Sequence, residues 1–202
     1  QSAMAVVDTN NGAVLAMIGG RDYTVRRGLN RATQMRRQPG SALKPLAVYG
    51  PALELGYTTA SVLLDEKTSF GGYTPRNAGD RYYGVVTMRT AIRNSLNTTA
   101  VRLLEEIGLD ASIQYLNKMG IPTRNSDRNL SLALGSMTYG VTPVELAAAY
   151  VPYANGGIYH QPYCVERIET VDGSNVYERK DSGKQVLSAQ NAFLMTSLLQ
   201  SV

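Results

Sequence analysis

Two residues of complementary chemistry, Ser41 and Lys44, stand three positions apart in the stretch R-Q-P-G-S-A-L-K-P-L-A-V-Y-G at residues 37–50. A serine hydroxyl is a weak nucleophile until a neighbouring base removes its proton. A lysine in an apolar setting has a lowered pKa, so its neutral amine can accept that proton. Residues i and i+3 lie on one face of a helix. We therefore predict a nucleophile, Ser41, with Lys44 as its base.

The flanking residues predict the element that would position this pair. Pro39 and Gly40 break the incoming chain, and serine is a favoured residue at the start of a helix. The apolar run that follows predicts a buried helix, in whose opening turn Pro45 is tolerated. The helix N-terminus would also offer backbone N–H groups to an oxyanion. The alternative interpretation is a capping serine followed by a surface lysine, because S-x-x-K matches are common.

A second polar element, Ser95 and Asn97, lies in R-N-S-L-N-T-T at residues 93–99. It separates two helical patterns, one capped by Thr87 and the other ending at Gly108. A Ser-x-Asn loop is also ordinary turn chemistry. Ser95 and Asn97 are therefore candidate site residues whose proximity to Ser41 depends on the fold.

The remaining patterns predict an α+β domain. T-P-V-E at residues 142–145 is a capping box with proline at the first helical position, and Ser188 begins the last helical pattern. Residues 56–86 read as loops with short strands. Two hairpins are predicted, one over residues 3–19 around T-N-N-G and one over residues 163–180 around Asp-Gly. Strands at both ends of the chain with helices between them favour an α+β domain whose sheet takes strands from both ends.

Composition narrows the function classes. The 202 residues suit one domain, and no run of eighteen apolar residues predicts a membrane-spanning helix in this piece. No Cys/His cluster has metal-ligand spacing and no glycine-rich phosphate loop is present, so we predict neither a metal nor a cofactor. The basic segment 20–37 is predicted to be a solvated loop or to pair with acids, not to bind nucleic acid. Cys164 is predicted to be half-buried in a strand, and nothing places His160, the only histidine, beside a nucleophile.

Four segments together resemble the transpeptidase domain of class A penicillin-binding proteins, within the serine penicillin-recognising superfamily. They are A-V-V-D-T-N-N-G-A-V-L-A-M-I-G-G, N-R-A-T-Q-M-R-R-Q-P-G-S-A-L-K-P, A-I-R-N-S-L-N-T-T-A-V and L-A-L-G-S-M-T-Y-G-V-T-P-V-E-L-A-A-A-Y, and they cover most of residues 3–160. The resemblance implies a β-lactamase/transpeptidase-like α+β fold, in which an antiparallel sheet packs on a helical subdomain. It also implies that Ser41, Lys44, Ser95 and Asn97 are the catalytic residues.

The resemblance implies a D,D-transpeptidase that crosslinks peptidoglycan in bacterial cell-wall synthesis through a serine acyl-enzyme, with D,D-carboxypeptidase as a side activity. Ser41 would attack the D-Ala-D-Ala stem peptide and Lys44 would take its proton. Ser95 would relay a proton to the leaving amine, and Asn97 would bind the substrate amide or hold Lys44. β-Lactam antibiotics would acylate the same serine. These properties link the family to cell shape and antibiotic resistance.

One departure from the family pattern concerns its third box, Lys-Thr-Gly on a strand. The only Lys-Thr pair, Lys67-Thr68, precedes the Ser-x-Asn loop and is followed by Ser69. We therefore expect residues 1–202 to be the N-terminal and helical part of one transpeptidase domain, lacking its C-terminal strands. A second polypeptide segment is expected to supply those strands, and the isolated piece is expected to be unstable. The multifunctional full-length protein would carry a membrane anchor and a glycosyltransferase domain, on the extracytoplasmic face of the membrane.

Three other functions remain open from the sequence. A serine β-lactamase on the same fold would need a glutamate to activate water, but Glu145 belongs to a predicted capping box and Glu166 to a predicted strand. A non-catalytic β-lactam sensor or scaffold would be acylated without turnover. A plain binding domain with a fortuitous S-x-x-K motif would not be acylated at Ser41 at all.

Overall fold

A computed structural model describes residues 2–22 and 25–202. The chain forms an α+β domain in which helices make the core and short antiparallel strand pairs surround it. The helices are α1 (Gly50–Glu54), α2 (Met88–Arg93), α3 (Asn97–Ile107), α4 (Leu109–Lys118), α5 (Pro143–Ala154) and α6 (Ala189–Leu199). The strands are β1 (Met4–Val7), β2 (Val14–Ile18), β3 (Val62–Asp65), β4 (Gly84–Thr87), β5 (Ile158–Tyr159), β6 (Arg167–Glu169), β7 (Asn175–Glu178) and β8 (Lys184–Gln185).

The predicted N-terminal hairpin is present as β1 and β2. The two strands pair antiparallel from Met4 opposite Ile18, with a bulge after Val6, and β1 packs against α5. Alternate side chains of a strand point to opposite faces. Met4 and Ile18 are each 49 % exposed, so the hairpin has an open apolar face.

The core is centred on the segment that follows the candidate nucleophile. Every residue from 43 to 53 is buried, and α3, α4, α5 and α6 pack around this segment or its neighbours. The chain thus surrounds this apolar stretch with other helices, and α3 and α4 are amphipathic. The candidate nucleophile, Ser41, lies directly before this buried stretch.

Local capping signals correctly predicted the starts of three helices, α2, α5 and α6. The Thr87 hydroxyl accepts from Thr90 N at the start of α2, and Ser188 does the same for α6. Thr142 and Glu145 form the predicted capping box at α5. These side chains satisfy backbone N–H groups that have no partner within the helix.

Residues 56–86 contain the predicted short strands. β3 pairs antiparallel with β4, from Val62 opposite Thr87 to Asp65 opposite Gly84. A loop with one 3₁₀ turn, Ala78–Asp80, joins the two strands. This loop contacts the start of α3 through Asn77. It is therefore a neighbour of the Ser-x-Asn element.

The C-terminal third contains the second predicted hairpin, β6 and β7 around Asp172-Gly173, and a short β5–β8 pair. The prediction for Cys164 is wrong, because its side chain is exposed and lies in a bend before β6. His160 is buried, with its Nδ1 atom 3.5 Å from the Asp181 carboxylate. This contact ties the end of β5 to the loop before β8.

The basic segment 20–37 is partly described, since residues 23 and 24 lie outside the described ranges. Within the described part, Arg36 pairs with Glu145 at the start of α5, as the pairing alternative predicts. No helix in the described ranges is long and apolar enough to cross a membrane.

Candidate active site

Ser41 lies inside a 3₁₀ turn, Gly40–Leu43, that begins directly after Pro39. The expectation that Ser41 caps a helix is wrong. Its hydroxyl makes no hydrogen bond within residues 2–22 and 25–202, and the side chain is exposed. Gly40 has φ +58°, a left-handed conformation that glycine adopts without a steric penalty. The turn therefore presents a free hydroxyl to solvent on top of a buried segment.

The predicted buried helix after Ser41 is irregular. Residues Pro45–Tyr49 form a π-helical segment before the α-helical turn α1. Hydroxyl groups from two other helices donate to its carbonyls and to that of the preceding turn: Ser112 to Ala47 O at 2.6 Å, Tyr150 to Ala42 O at 2.6 Å and Tyr153 to Pro45 O at 2.9 Å. π-Bulges occur often at functional sites. Here α4 and α5 hold the irregular backbone that carries the candidate site.

Lys44, which the sequence predicts to be the base, is buried. Its side chain is 2 % exposed, and its Nζ atom donates to Ser95 O at 2.6 Å, Ser95 Oγ at 3.1 Å and Asn97 Oδ1 at 2.6 Å. Burial lowers the pKa of Lys44 from 10.5 to about 8, because desolvation disfavours the ammonium. A lysine with this pKa holds a useful fraction of neutral amine near neutral pH.

The Ser-x-Asn loop joins α2 to α3 as predicted, and it reaches Lys44 across the core. Ser95 has φ +51°, a conformation uncommon for a residue with a Cβ atom. In this conformation the carbonyl and the hydroxyl of Ser95 both face the Lys44 ammonium group. Asn97 occupies the first position of α3 and binds Lys44 through its side-chain oxygen. Of the two roles expected for Asn97, this geometry is that of holding Lys44.

Ser41 and Lys44 share a backbone hydrogen bond, from Lys44 N–H to Ser41 O. Their side chains make no direct hydrogen bond in the described part of the chain, because the three donors of the Lys44 ammonium go to the Ser95 and Asn97 acceptors. Deprotonation frees an Nζ lone pair, which a base for the Ser41 proton requires. Catalytic hydrogen bonds in unliganded sites commonly form only when substrate binds.

A second segment, residues 135–141, presses against the turn from the other side. A Cβ atom on Gly135 would lie 2.2 Å from Gly40 O, and one on Gly140 would lie 2.3 Å from Arg37 O. Arg37 and Val141 exchange two backbone hydrogen bonds, at 3.0 and 2.8 Å. The two glycines therefore allow a backbone-to-backbone contact that fixes the chain just before Ser41. This contact was not predicted, because a glycine in a single sequence gives no sign of the backbone that it will meet.

A polar network behind Asn97 was not predicted either. Asp65 is fully buried, and Asn77 contacts both Asp65 and the first turn of α3. The two residues belong to a region that composition marks only as polar and irregular. Only the long-range pairing of β3 with β4 brings them beneath Asn97.

The surrounding acidic groups do not form a metal site, since the described residues contain no group of three potential metal ligands. The capping-box glutamate is committed on both oxygens, one to Arg36 and the other to Thr142 N. Glu145 is thus poorly placed to activate a hydrolytic water. Glu166 is exposed and lies next to β6.

Comparisons with known proteins point to one family. Residues 2–202 match the family model for the penicillin binding protein transpeptidase domain. The chain is 44 % identical over 203 residues to penicillin-binding protein 1F of Bacillus subtilis, covering 100 % of the chain and 28 % of that protein. It is 36 % identical over 214 residues to penicillin-binding protein 1A of Clostridium botulinum, covering 99 % and 26 %.

Solved structures show the same fold. The chain superposes with a TM-score of 0.84 on penicillin-binding protein 1A from Haemophilus influenzae, at 30 % identity over 98 % of the chain and 34 % of that structure. It superposes with a TM-score of 0.85 on the PonA1 protein from Mycobacterium tuberculosis in complex with penicillin V, at 25 % identity over 98 % of the chain and 55 % of that structure. The chain spans about a quarter of the length of the two curated relatives.

Proposed function

The chain belongs to the transpeptidase domain family of penicillin-binding proteins, and on this premise we propose that it carries the acylation site of a peptidoglycan D,D-transpeptidase. One observation carries the proposal. Lys44 is buried, has a lowered pKa and is held by Ser95 and Asn97. It directly follows the turn that carries the free, exposed Ser41 hydroxyl. A serine with a lysine base close to it in the chain is the kind of pair that nucleophilic acyl transfer uses.

The acylation step begins with Ser41. Its Oγ atom attacks the carbonyl carbon of the terminal D-Ala-D-Ala bond, while neutral Lys44 takes the hydroxyl proton. The backbone N–H of Ser41 stabilises the oxyanion of the tetrahedral intermediate as one of two donors. The C–N bond then breaks, and the leaving D-Ala amine takes a proton that passes from Lys44 through Ser95 Oγ. The 3.1 Å contact between Lys44 Nζ and Ser95 Oγ supports that route.

The second half-reaction reverses the proton path. An amine from a neighbouring stem peptide attacks the acyl-enzyme ester, and its proton returns through Ser95 and Lys44 to the departing Ser41 oxygen. A new peptide bond forms and the serine is regenerated. Water in place of the amine gives the D,D-carboxypeptidase side reaction. A β-lactam acylates Ser41 in the same way, but its leaving group stays attached.

We further propose that residues 1–202 act as part of a longer polypeptide that supplies the remaining strands and the Lys-Thr-Gly box. The open apolar face of the β1–β2 hairpin supports this proposal, as does an adjacent groove of about 630 Å³ whose lining includes Met4, Pro39 and Leu146. The much greater length of the curated relatives also supports it. Membrane anchoring, an extracytoplasmic location and a glycosyltransferase domain belong to the same proposal.

The test is intact-mass analysis of the full-length protein after incubation with penicillin, combined with a crosslinking assay on stem-peptide donor and acceptor. We expect a mass gain of one penicillin that disappears in Ser41→Ala. Ser69→Ala is the matched control, because Ser69 is also exposed and follows Lys67-Thr68; it should be acylated like the wild type.

Three results would contradict the proposal. Acylation without crosslinking indicates a sensor or scaffold. Release of the acyl group within seconds indicates a β-lactamase. A folded protein that is not acylated at Ser41 excludes a role for the S-x-x-K motif in acyl transfer.

A further inference from the structure

The first turn of α3, which carries Asn97, is capped by a residue twenty positions earlier in the chain. Leu96 occupies the usual capping position and has no polar side chain to offer. Asn77 Oδ1 takes over this role, accepting from Asn97 N at 2.7 Å and from Thr98 N at 3.2 Å. The backbone position of Asn97 therefore depends on the side chain of Asn77.

Asp65 fixes the orientation of that side chain. The Asn77 amide nitrogen donates to Asp65 Oδ1 at 2.8 Å and to Arg81 O at 2.9 Å, so the amide oxygen must face α3. The Thr98 hydroxyl and Tyr83 N also donate to the Asp65 carboxylate. A buried polar group needs such hydrogen-bond partners. The network therefore has one arrangement in which its donors and acceptors match.

The same loop also orients the Asn97 side chain. Asn97 Nδ2 donates to Arg76 O at 2.7 Å, which leaves Asn97 Oδ1 facing Lys44 Nζ at 2.6 Å. Neighbouring positions 76 and 77 thus hold the side chain and the backbone of Asn97 at once. A continuous line of contacts runs from Asp65 through Asn77 and Asn97 to Lys44.

We propose that Asp65 and Asn77 are positioning residues for acyl transfer. They hold Asn97 so that its side-chain oxygen keeps the Lys44 amine within hydrogen-bond distance of Ser95. The inference rests on the proposed function, since it assigns a task to residues behind the same site. Neither residue touches the reacting atoms. Their effect passes through the Asn97 side-chain oxygen, which must stay where Lys44 can donate to it.

The test compares Asn77→Ala with Ser188→Ala in the full-length protein. Ser188 also caps a helix, α6, but has no contact with Lys44 or its partners. We expect Asn77→Ala to lower the limiting rate of acylation by penicillin at least tenfold at pH 9, where Lys44 is largely neutral in both proteins, with the same final stoichiometry and the same dissociation constant for the non-covalent complex. Ser188→Ala should leave the limiting rate, the stoichiometry and the dissociation constant unchanged, even if it lowers Tm as much as Asn77→Ala does.

A second readout does not depend on activity. In a ¹³C-lysine NMR titration, Asn77→Ala should lower the midpoint of Lys44, because the ammonium loses a fixed acceptor. An unchanged or higher midpoint overturns the inference. If the wild type is not acylated at Ser41, the proposed function fails by itself, and the NMR midpoint still decides whether the network positions Lys44.

Thr98→Val covers the case in which Asn77→Ala does not fold. This nearly isosteric change removes only the hydroxyl that donates to Asp65. We expect a three- to tenfold slower limiting rate, recovered in Thr98→Ser, which keeps the hydroxyl. A wild-type rate in Thr98→Val, with Lys44 titrating as in the wild type, overturns the inference.

Discussion

The pH dependence of acylation gives the sharpest test of Lys44 as the base. Its pKa is lowered by burial from 10.5 to about 8, so the neutral fraction is about 9 % at pH 7 and about 90 % at pH 9. If only neutral Lys44 can accept the Ser41 proton, the acylation rate should rise about tenfold between these pH values and then level off. With the ordinary lysine pKa, the same interval would bring a rise of about a hundredfold and no plateau.

The measurement is the second-order rate constant for acylation by a fluorescent penicillin from pH 6 to pH 10, on the full-length protein. Lys44→Arg keeps the charge but cannot lose it, so its rate should be lower at every pH by a factor of about 10² to 10⁴. The control is Lys118→Arg, because Lys118 is exposed at the end of α4. Its profile should match that of the wild type.

Two outcomes would refute the reasoning. A rate that does not change between pH 7 and pH 9 would mean that proton transfer to Lys44 does not limit acylation. A profile that still rises steeply at pH 10 would mean that burial does not shift the lysine in the working enzyme. In both cases Tm across the pH range must be measured, so that unfolding is not mistaken for titration.

Two further predictions concern the backbone around Ser41. Gly135→Ala should slow acylation at least tenfold, because the new Cβ atom meets Gly40 O. The control Gly108→Ala, at a similar positive φ but in open space, should leave the acylation rate unchanged. Equal acylation rates in the two variants would contradict the steric reason. Ser112→Ala should lower the free energy of unfolding in urea by about 1–2 kcal/mol, because Ala47 O loses a buried hydrogen bond. The exposed control Ser182→Ala should stay within about 0.5 kcal/mol of the wild type, and an equally stable Ser112→Ala would show that the irregular segment needs no such donor.

Local signals in the sequence predicted what depends on neighbours in the chain. The caps at Thr87, Thr142 and Ser188 lie directly before the helices they begin, and their residue types are sufficient to identify them. The pairing of Lys44 with Ser95 and Asn97 was expected from a family resemblance, and the structure brings these three residues together.

The parts that could not be predicted depend on contacts that are distant in sequence. A 3₁₀ turn and a π-helical segment replace the predicted regular helix, and hydroxyls of α4 and α5 donate to carbonyls of the π-helical segment. The contact of Gly135 with Gly40 depends on two backbones meeting. No periodicity or propensity within a short window contains that information.

The wide sequence separation within the site has a consequence for how the protein can be studied. Lys44 meets its acceptors 51 and 53 positions later, and Ala42 O meets Tyr150 after 108 positions. The site is therefore complete only when distant parts of the chain have come together, and we expect a chain without these contacts to have a solvated lysine and an unreactive serine. The amount of protein labelled by a fluorescent β-lactam would then measure the fraction of native molecules. The increase in labelling during refolding would report when the last of these long-range contacts form.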